Sequence, residues 1–462
     1  MHHMPSSMFG LSLATICCTA LAAPAQQAPP PTQPEFPGVI AQQPGQQPGA
    51  QPPAGGQRLQ LKPHMLVANL PDAQNCPAPD WIQPGMRITY FTSVAQINDA
   101  AGSVGMVEDP NGNITDSSGR RYRHGSSVGL GTGGAGWDCV EVIAVERDIV
   151  VLEMRQFQNT NGHQGPVTSG ASNTMFVHPS GCDFFLHPRL LAQLQQQTGN
   201  GVNLIKGQMQ HRGRNYNMVL SSVEIPNSRN SSVYDLVSGV QLSHNESTQF
   251  DGGVTYKQSG NDYDAQRNTS RMLANNQFID AKQITKPWRT MQIPAWARTM
   301  KKVRYQGQRI DSGTPEMGLG RLVTNLSYEL ETIYVGDTFT AYRTKNSQQM
   351  EGMPAMEPMV GMTAFGPGSL MGVWMDPAAL ATLKTGQLID QDNNVGIKFG
   401  CEFAGPGNDG KPVVVLAMGN ELYKATSTYD AATGKLLAIA RIEKSPTTGG
   451  TITTQMRMTA ME

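Results

Sequence analysis

The chain has 462 residues, of which 15% are charged, and a formal net charge of −1. Charged residues are scarce against the ~25% usual for soluble domains, and Gln, Asn, Ser, Thr and Gly take their place. Near-neutral charge without a long basic face argues against nucleic-acid binding, and the length allows two domains with cores of their own.

Residues 1–25 read as a secretory signal peptide. The apolar run 8–23 is followed by small residues, with Ala23-Pro24-Ala25 as the cleavage site. The run is shorter than the ~18–20 residues a membrane span needs, so no transmembrane span is expected once the signal is removed. Ala14-Thr15-Ile16 before Cys17 is not the small-residue pattern of a lipoprotein, which favours export over lipid anchoring. Residues 26–67 form a Pro/Gln/Gly-rich tract that cannot bury enough surface to offset chain entropy, and are expected to be a disordered tether.

Beyond it the signals are mostly strand and turn. Residues 86–91 alternate, as do 302–305, and 140–145 and 148–154 are rich in β-branched residues. Residues 109–113 and 116–119 carry the Asn, Asp and Gly of hairpin turns. Short helices are expected over 188–197 and 377–384, each opening on a proline, with Asp376 a good N-cap and His187 a poorer one.

These pieces occur twice. Pro79-Asp80-Trp81 and Arg87-Ile88-Thr89-Tyr90 match Pro294-Ala295-Trp296 and Lys302-Val303-Arg304-Tyr305. Pro188 matches Pro377, Val202 matches Val395, and Tyr234-Asp235…Gly239 matches Tyr429-Asp430…Gly434. Four pairs in one order point to a tandem duplication. The expectation is a mainly β (α+β) chain of two related antiparallel-sheet domains, each with a short helix: copy one over 68–248, a linker over 249–274, and copy two over 275–462.

The chemically distinctive stretch is 350–362, where Met350, Met353, Met356, Met359 and Met362 recur every third residue. Thioethers are soft ligands that suit copper(I) and need no deprotonation. The stretch resembles the methionine-rich segments of exported copper-handling proteins, without the histidines often found beside them. In a polyproline II run all five sulfurs would share one face, too far apart to hold one ion unless the loop folded around it. Two other readings stand beside a copper(I) site: methionines plugging an irregular apolar gap, and a sticky partner-binding surface.

Other candidates are weaker. Gly129–136 lacks the Lys-Ser/Thr of a phosphate loop, and 390–394 and 109–113 lack the glycine and closing glutamate of a calcium loop. His178 and His187 flank Cys182, which could make a mixed metal site. Cys76, Cys139, Cys182 and Cys401 fit no zinc or redox spacing, and one or two disulfides or isolated buried thiols remain open. No hydrolase motif is present, so no catalytic residue is assigned.

The Tyr-Asp-x-x-Ser/Thr-Gly hairpins at 234–241 and 429–439 resemble those of envelope proteins of the outer-membrane lipoprotein carrier type. The resemblance implies a curved antiparallel sheet, and no binding residue follows from it. The chain end lacks the terminal aromatic of outer-membrane barrels. The resulting expectation is a periplasmic or extracellular envelope protein with a non-enzymatic binding or structural role. Its partner would be a lipid or protein component of the envelope, held in the cleft between the copies or by the loops 159–182 and 345–370. The alternatives are copper(I) buffering by the methionine loop and an unrecognised hydrolase.

Overall fold

The computed structural model describes residues 61–99, 107–108, 113–115, 121–123, 135–159, 167–199, 201–259, 262–288, 292–313, 321–350, 352–354, 356–444 and 450–462. The signal segment, most of the tether and most of the glycine-rich stretch 129–136 lie outside them, as do most residues of the turns 109–113 and 116–119.

In the first half the elements are β1 (Met86–Asp99), β2 (Val107–Glu108), β3 (Asn113–Thr115), β4 (Arg121–Arg123), β5 (Ala135–Glu146), β6 (Ile149–Asn159), β7 (Val167–Val177), β8 (Gly181–Cys182) and β9 (Phe185–Leu186). They continue with α1 (Pro188–Gln193), β10 (Gln197–Gly199), β11 (Val202–His211), β12 (Arg214–Ile225), β13 (Ser228–Asp235), β14 (Gln241–Ser259) and β15 (Asp262–Gln283). The second half has α2 (Ala295–Thr299), β16 (Lys302–Ser312), β17 (Arg321–Val335), β18 (Thr340–Met350), β19 (Met359–Phe365), α3 (Pro377–Leu380), β20 (Gln387–Asp392) and β21 (Ile397–Pro406). It closes with β22 (Pro412–Gly419), β23 (Tyr423–Asp430), β24 (Leu436–Lys444) and β25 (Thr451–Met461).

Two antiparallel ten-stranded sheets result, and their strand orders correspond element by element. The first runs β10-β11-β12-β13-β14-β15-β1-β5-β6-β7, and the second β20-β21-β22-β23-β24-β25-β16-β17-β18-β19. The chain is therefore mainly β, with two tandem related antiparallel-sheet domains and few short helices. Alternation decides what each strand buries. Ile88 and Tyr90 on β1, and Val303 and Tyr305 on β16, are almost fully buried against the elements of their own half. Arg87 and Thr89, and Lys302 and Arg304, point to the other face.

The matched motifs form the same clasp in both halves. The Trp81 indole donates to Ser238 O and the Trp296 indole to Thr433 O, each at 2.7 Å. Leu186 N donates to Gly239 O and Met375 N to Gly434 O, each at 2.9 Å. Gly239 and Gly434 have φ of 78° and 71°, and a Cβ on either would lie 1.8 or 1.9 Å from the Leu186 or Met375 carbonyl oxygen. Only glycine accepts both the left-handed angle and that approach. His187 and Asp376 cap the short helices, accepting from Arg189 N (3.2 Å) and Ala378 N (3.0 Å). The helices are shorter than the sequence suggests. Leu194 turns extended after α1, and residues 197–199 pair as β10 instead.

Three boundaries differ from expectation. Val67, at the expected end of the tether, is fully buried beside Leu190 and Leu191. The expected linker 249–274 lies in β14 and β15, which pair with each other. The expected start of copy two at Asn275 falls inside β15, which runs to Gln283 and pairs with β1 through residues 269–283. Polar composition misled the reading here: strand pairing is made by backbone groups and needs no apolar side chain. Among the described residues no helix is long and apolar enough to cross a membrane.

Candidate functional site

Where the two halves meet, the outer face of β1, β5 and β6 is covered by β20 and its neighbours, and charged groups are buried between them. Arg87 donates from Nε and Nη2 to Glu141 Oε1 at 2.8 and 2.6 Å. Its Nη1 reaches Asp390 Oδ2 at 2.7 Å and Asp392 Oδ2 at 3.3 Å, on alternate residues of β20. Lys282 Nζ adds a bond to Asp390 Oδ1 at 2.6 Å. Arg155 donates to Glu153 at 2.5 Å and lies 3.6 Å from Glu141 Oε2. Lys286 donates to Gly368 O. The other oxygen of Asp392 accepts from Asn394 N and Val395 N at 3.0 and 3.1 Å, closing the turn after β20.

Asp390 and Asp392 reach across the boundary between the halves to Arg87, and Asp390 to Lys282, while Glu141 and Glu153 hold Arg87 and Arg155 within the first half, so each of the four carboxylates has a cation beside it. Burial alone would push the Glu141 carboxyl up, but Arg87, Arg155 and Lys286 hold it down to about 2. Burial lowers Lys286 to about 8 against the pull of Glu141, and raises Asp138, on the other face of β5 opposite Tyr90, to about 6. Such a cluster gives the joint a defined geometry more than net stability, since desolvation offsets most of the attraction. Arg87, Glu141, Arg155 and Asp392 line a cavity of only ≈ 10 Å³ with Cys139, Phe157 and Met418. That is room for about one water and for no larger ligand. The expected ligand cleft between the copies is therefore filled at this point by side chains.

The methionine stretch is a surface hairpin. Met350 ends β18, Met353 N donates to Met350 O at 3.1 Å, and Met359 and Met362 belong to β19, the edge strand of the second sheet. Met353, Met356, Met359 and Met362 are 56, 50, 59 and 42% exposed, and Val360 between them is 67% exposed. They fill no apolar gap. Met359 opposes Asn346 and Met362 opposes Arg343, so strand alternation puts these two sulfurs on opposite faces. The single methionine face expected of an extended run is not formed.

The remaining candidates have structural roles. Asp390 and Asp392, read as part of a calcium-type loop, are the carboxylates that hold Arg87. His178 bonds Ser180 Oγ (2.9 Å) and Gln74 O (3.2 Å), and His187 is a helix cap, so neither turns to Cys182 as a ligand. The buried Ser180–His178 pair meets a carbonyl on its far side where a hydrolytic triad needs a carboxylate. Cys76, Cys139, Cys182 and Cys401 are unpaired thiols, and burial pushes Cys139 and Cys182 up to about 12, which keeps them unreactive. Among the described residues no group of three His, Cys, Asp or Glu side chains is placed to hold a metal.

Sequence reasoning missed the cluster, although a signal was there. Glu141 stands inside the β-branched run 140–145, and Arg87 beside apolar residues on an alternating strand. Charges embedded in strands of that kind are exposed or paired, and here they are paired.

No protein-family model matches the chain, and no curated protein matches it. Among solved structures the chain is similar to a double mutant of the vaccine antigen Transferrin Binding Protein B from Haemophilus parasuis Hp5. The identity is 8% and the TM-score 0.16, and the match covers 82% of this chain and 78% of that chain. So low a TM-score assigns neither a fold family nor a ligand, and the likeness of the two Tyr-Asp hairpins to lipoprotein carriers remains one of local sequence.

Proposed function

We propose that this chain is an exported cell-envelope protein with a non-enzymatic binding role, and that it engages a protein partner through the β18–β19 hairpin and the β19 edge. The observation that carries this is the exposure of Met359, Val360 and Met362 on an edge strand, with Met353 and Met356 exposed in the turn before it. An edge offers unpaired backbone donors and acceptors, and native chains usually blunt it with charge or proline. Contiguous apolar side chains there mark a place of association. Photo-crosslinking from position 360 in the envelope fraction tests the reading. A single crosslinked protein band, lost when Met359 and Met362 become Lys, is expected. Absence of any crosslink, or retention of the protein in the cytoplasm, would overturn it.

The second reading is copper(I) binding by the same hairpin. It is favoured by four thioethers that face solvent and are free of core packing. Competition titration with a copper(I) chelator should give binding that is lost in Met353→Leu/Met356→Leu/Met359→Leu at unchanged Tm. Binding retained in that variant sinks the copper reading and leaves the protein-binding one standing.

A further inference from the structure

Ahead of its first sheet the chain lays a strap, residues 64–76, over α1. Val67, Ala73 and Cys76 of the strap are buried with Leu186, Leu190, Leu191 and Tyr234. Gln193 Nε2 on α1 donates to Asp72 Oδ2 of the strap at 3.3 Å. Within itself the strap is held by turn bonds, such as Val67 N to His64 O and Leu70 N to Val67 O at 3.0 Å, and by the three-residue 3₁₀ turn Ala73–Asn75. A segment tied by so few backbone bonds opens more cheaply than the sheets beneath it.

A chain of hydrogen bonds runs from the strap to the helix cap through two histidines. His178 Nε2 donates to Gln74 O of the strap at 3.2 Å, and its Nδ1 accepts from Ser180 N at 3.1 Å. Ser180 O accepts from His187 N at 2.9 Å, and His187 Nδ1 accepts from Arg189 N in the first turn of α1 at 3.2 Å. A backbone N–H can only donate, so both Nδ1 atoms are without a proton and both rings are neutral. The two side chains belong to residues only 5 and 7% exposed. Burial holds both below the ordinary 6.5; Gln74 O and Asp148 oppose it at His178, while at His187 Arg189 adds to it and Asp80 opposes it. His64 works the other way. Its Nε2 lies 3.1 Å from Asp183 Oδ1, which His244 also influences, so a charge on His64 favours docking. The Asp183 side chain is 82% exposed, and water weakens that gain. The second half has no counterpart: all nine histidines precede residue 245, and Asp376 caps the helix where the first half has His187.

We propose that residues 64–76 are an acid-released strap: protonation of His178 and His187 favours its undocking from α1 and uncovers the apolar ground of Leu186, Leu190, Leu191 and Tyr234. A proton on His178 Nδ1 takes the acceptor from Ser180 N and places a charge beneath the strap. A proton on His187 Nδ1 takes the cap from α1, the helix on which the strap rests. Undocking lets water reach the imidazolium, so the undocked state takes up protons first. Docking is at full strength above 6.5 and weakens as pH falls through that value. The inference stands apart from the hairpin reading and uses none of its residues.

Cys76 reports on the strap, because its thiol is buried by docking, and the buried thiols of Cys139 and Cys401 elsewhere in the fold are internal controls. The full-length protein is treated with a dipyridyl disulfide from about pH 7.5 to about pH 5, across the histidine range. Labelling is read peptide by peptide in mass spectra, each rate divided by that of the same cysteine in the unfolded chain at the same pH. The relative rate at Cys76 should rise about tenfold or more on acidification, with Cys139 and Cys401 unchanged. His178→Asn, which keeps an acceptor for Ser180 N, combined with His187→Asp, which copies the cap of the second half, should abolish the rise. His64→Gln should keep it. A flat wild-type profile, a rise at all three cysteines together, or a rise that survives in the double variant overturns the proposal. Should the double variant fail to fold at the higher pH, His187→Asp alone decides, with a smaller rise expected and an unchanged one overturning the proposal.

Discussion

The two halves share a strand order and a clasp, yet one face of the shared sheet has two fates. On β1, β5 and β6 it carries Arg87, Glu141 and Arg155, closed under Asp390 and Asp392. On β16, β17 and β18 it carries Lys302, Glu331 and Arg343, open to solvent. Charged residues at corresponding positions therefore have different energetic meaning. In the closed face a lost partner strands a buried ion, whereas in the open one water replaces the partner. Local sequence alike in pattern thus sets up a joint in one place and a surface in the other.

The sharpest way to break this contrast is to remove the corresponding glutamates. Glu141→Gln should cost about 3–5 kcal/mol in denaturant unfolding, because Arg87 and Arg155 stay buried without it. Glu331→Gln should cost about 0–1 kcal/mol. Equal losses would mean that the two faces are equally solvated.

Acid titration probes the same carboxylate. The folded-state pKa of Glu141 is about 2, against an ordinary 4.5. Its contribution, about 3 kcal/mol, is present above 4.5 and is lost as pH falls through about 2. The wild-type chain should lose stability across that window, and Glu141→Gln should show a flatter profile there. Asp138 works with the opposite sign. Burial raises it from 3.8 to about 6, so the folded state holds the extra proton between those values and stability falls as pH rises through them. Asp138→Asn should remove that fall.

Sharing of the clasp predicts equality where the faces predict difference. Gly239→Ala and Gly434→Ala should each cost more than about 1 kcal/mol, and by similar amounts, because each forces a Cβ onto a carbonyl at a left-handed position. A large effect in one half alone would show that the two clasps are not energetically alike. The smallest effect is expected at the hairpin. Met353→Leu and Met356→Leu should change stability by less than about 0.5 kcal/mol, since both side chains are exposed.

Much of the fold was legible from residue order. The alternation at 86–91 and 302–305, the helix prolines and the Tyr-Asp…Gly turns mark local structure. Each such signal depends on backbone preferences within a few residues, which is why it can be read. The stretch 249–274 was not legible as strand, because its polar composition suits a linker as well as a ladder, and only β1 across the sheet decides between them. The candidate sites fared less well for the same reason. The Asp390–Asp392 run has the oxygens of a calcium loop in sequence, and acquires its true role from Arg87, about 300 residues away.

By itself the sequence determined the turns, the helix caps and the strand-rich class, since glycine at a positive φ, proline at a first helical turn and apolar alternation act locally. Only the tertiary structure decided which charged face is closed and which is open, and that the methionines stand on an edge strand with Met359 and Met362 on opposite sides. Those outcomes depend on which distant strand arrives at a surface. Desolvation and pairing are properties of the arrival, and no residue carries them alone.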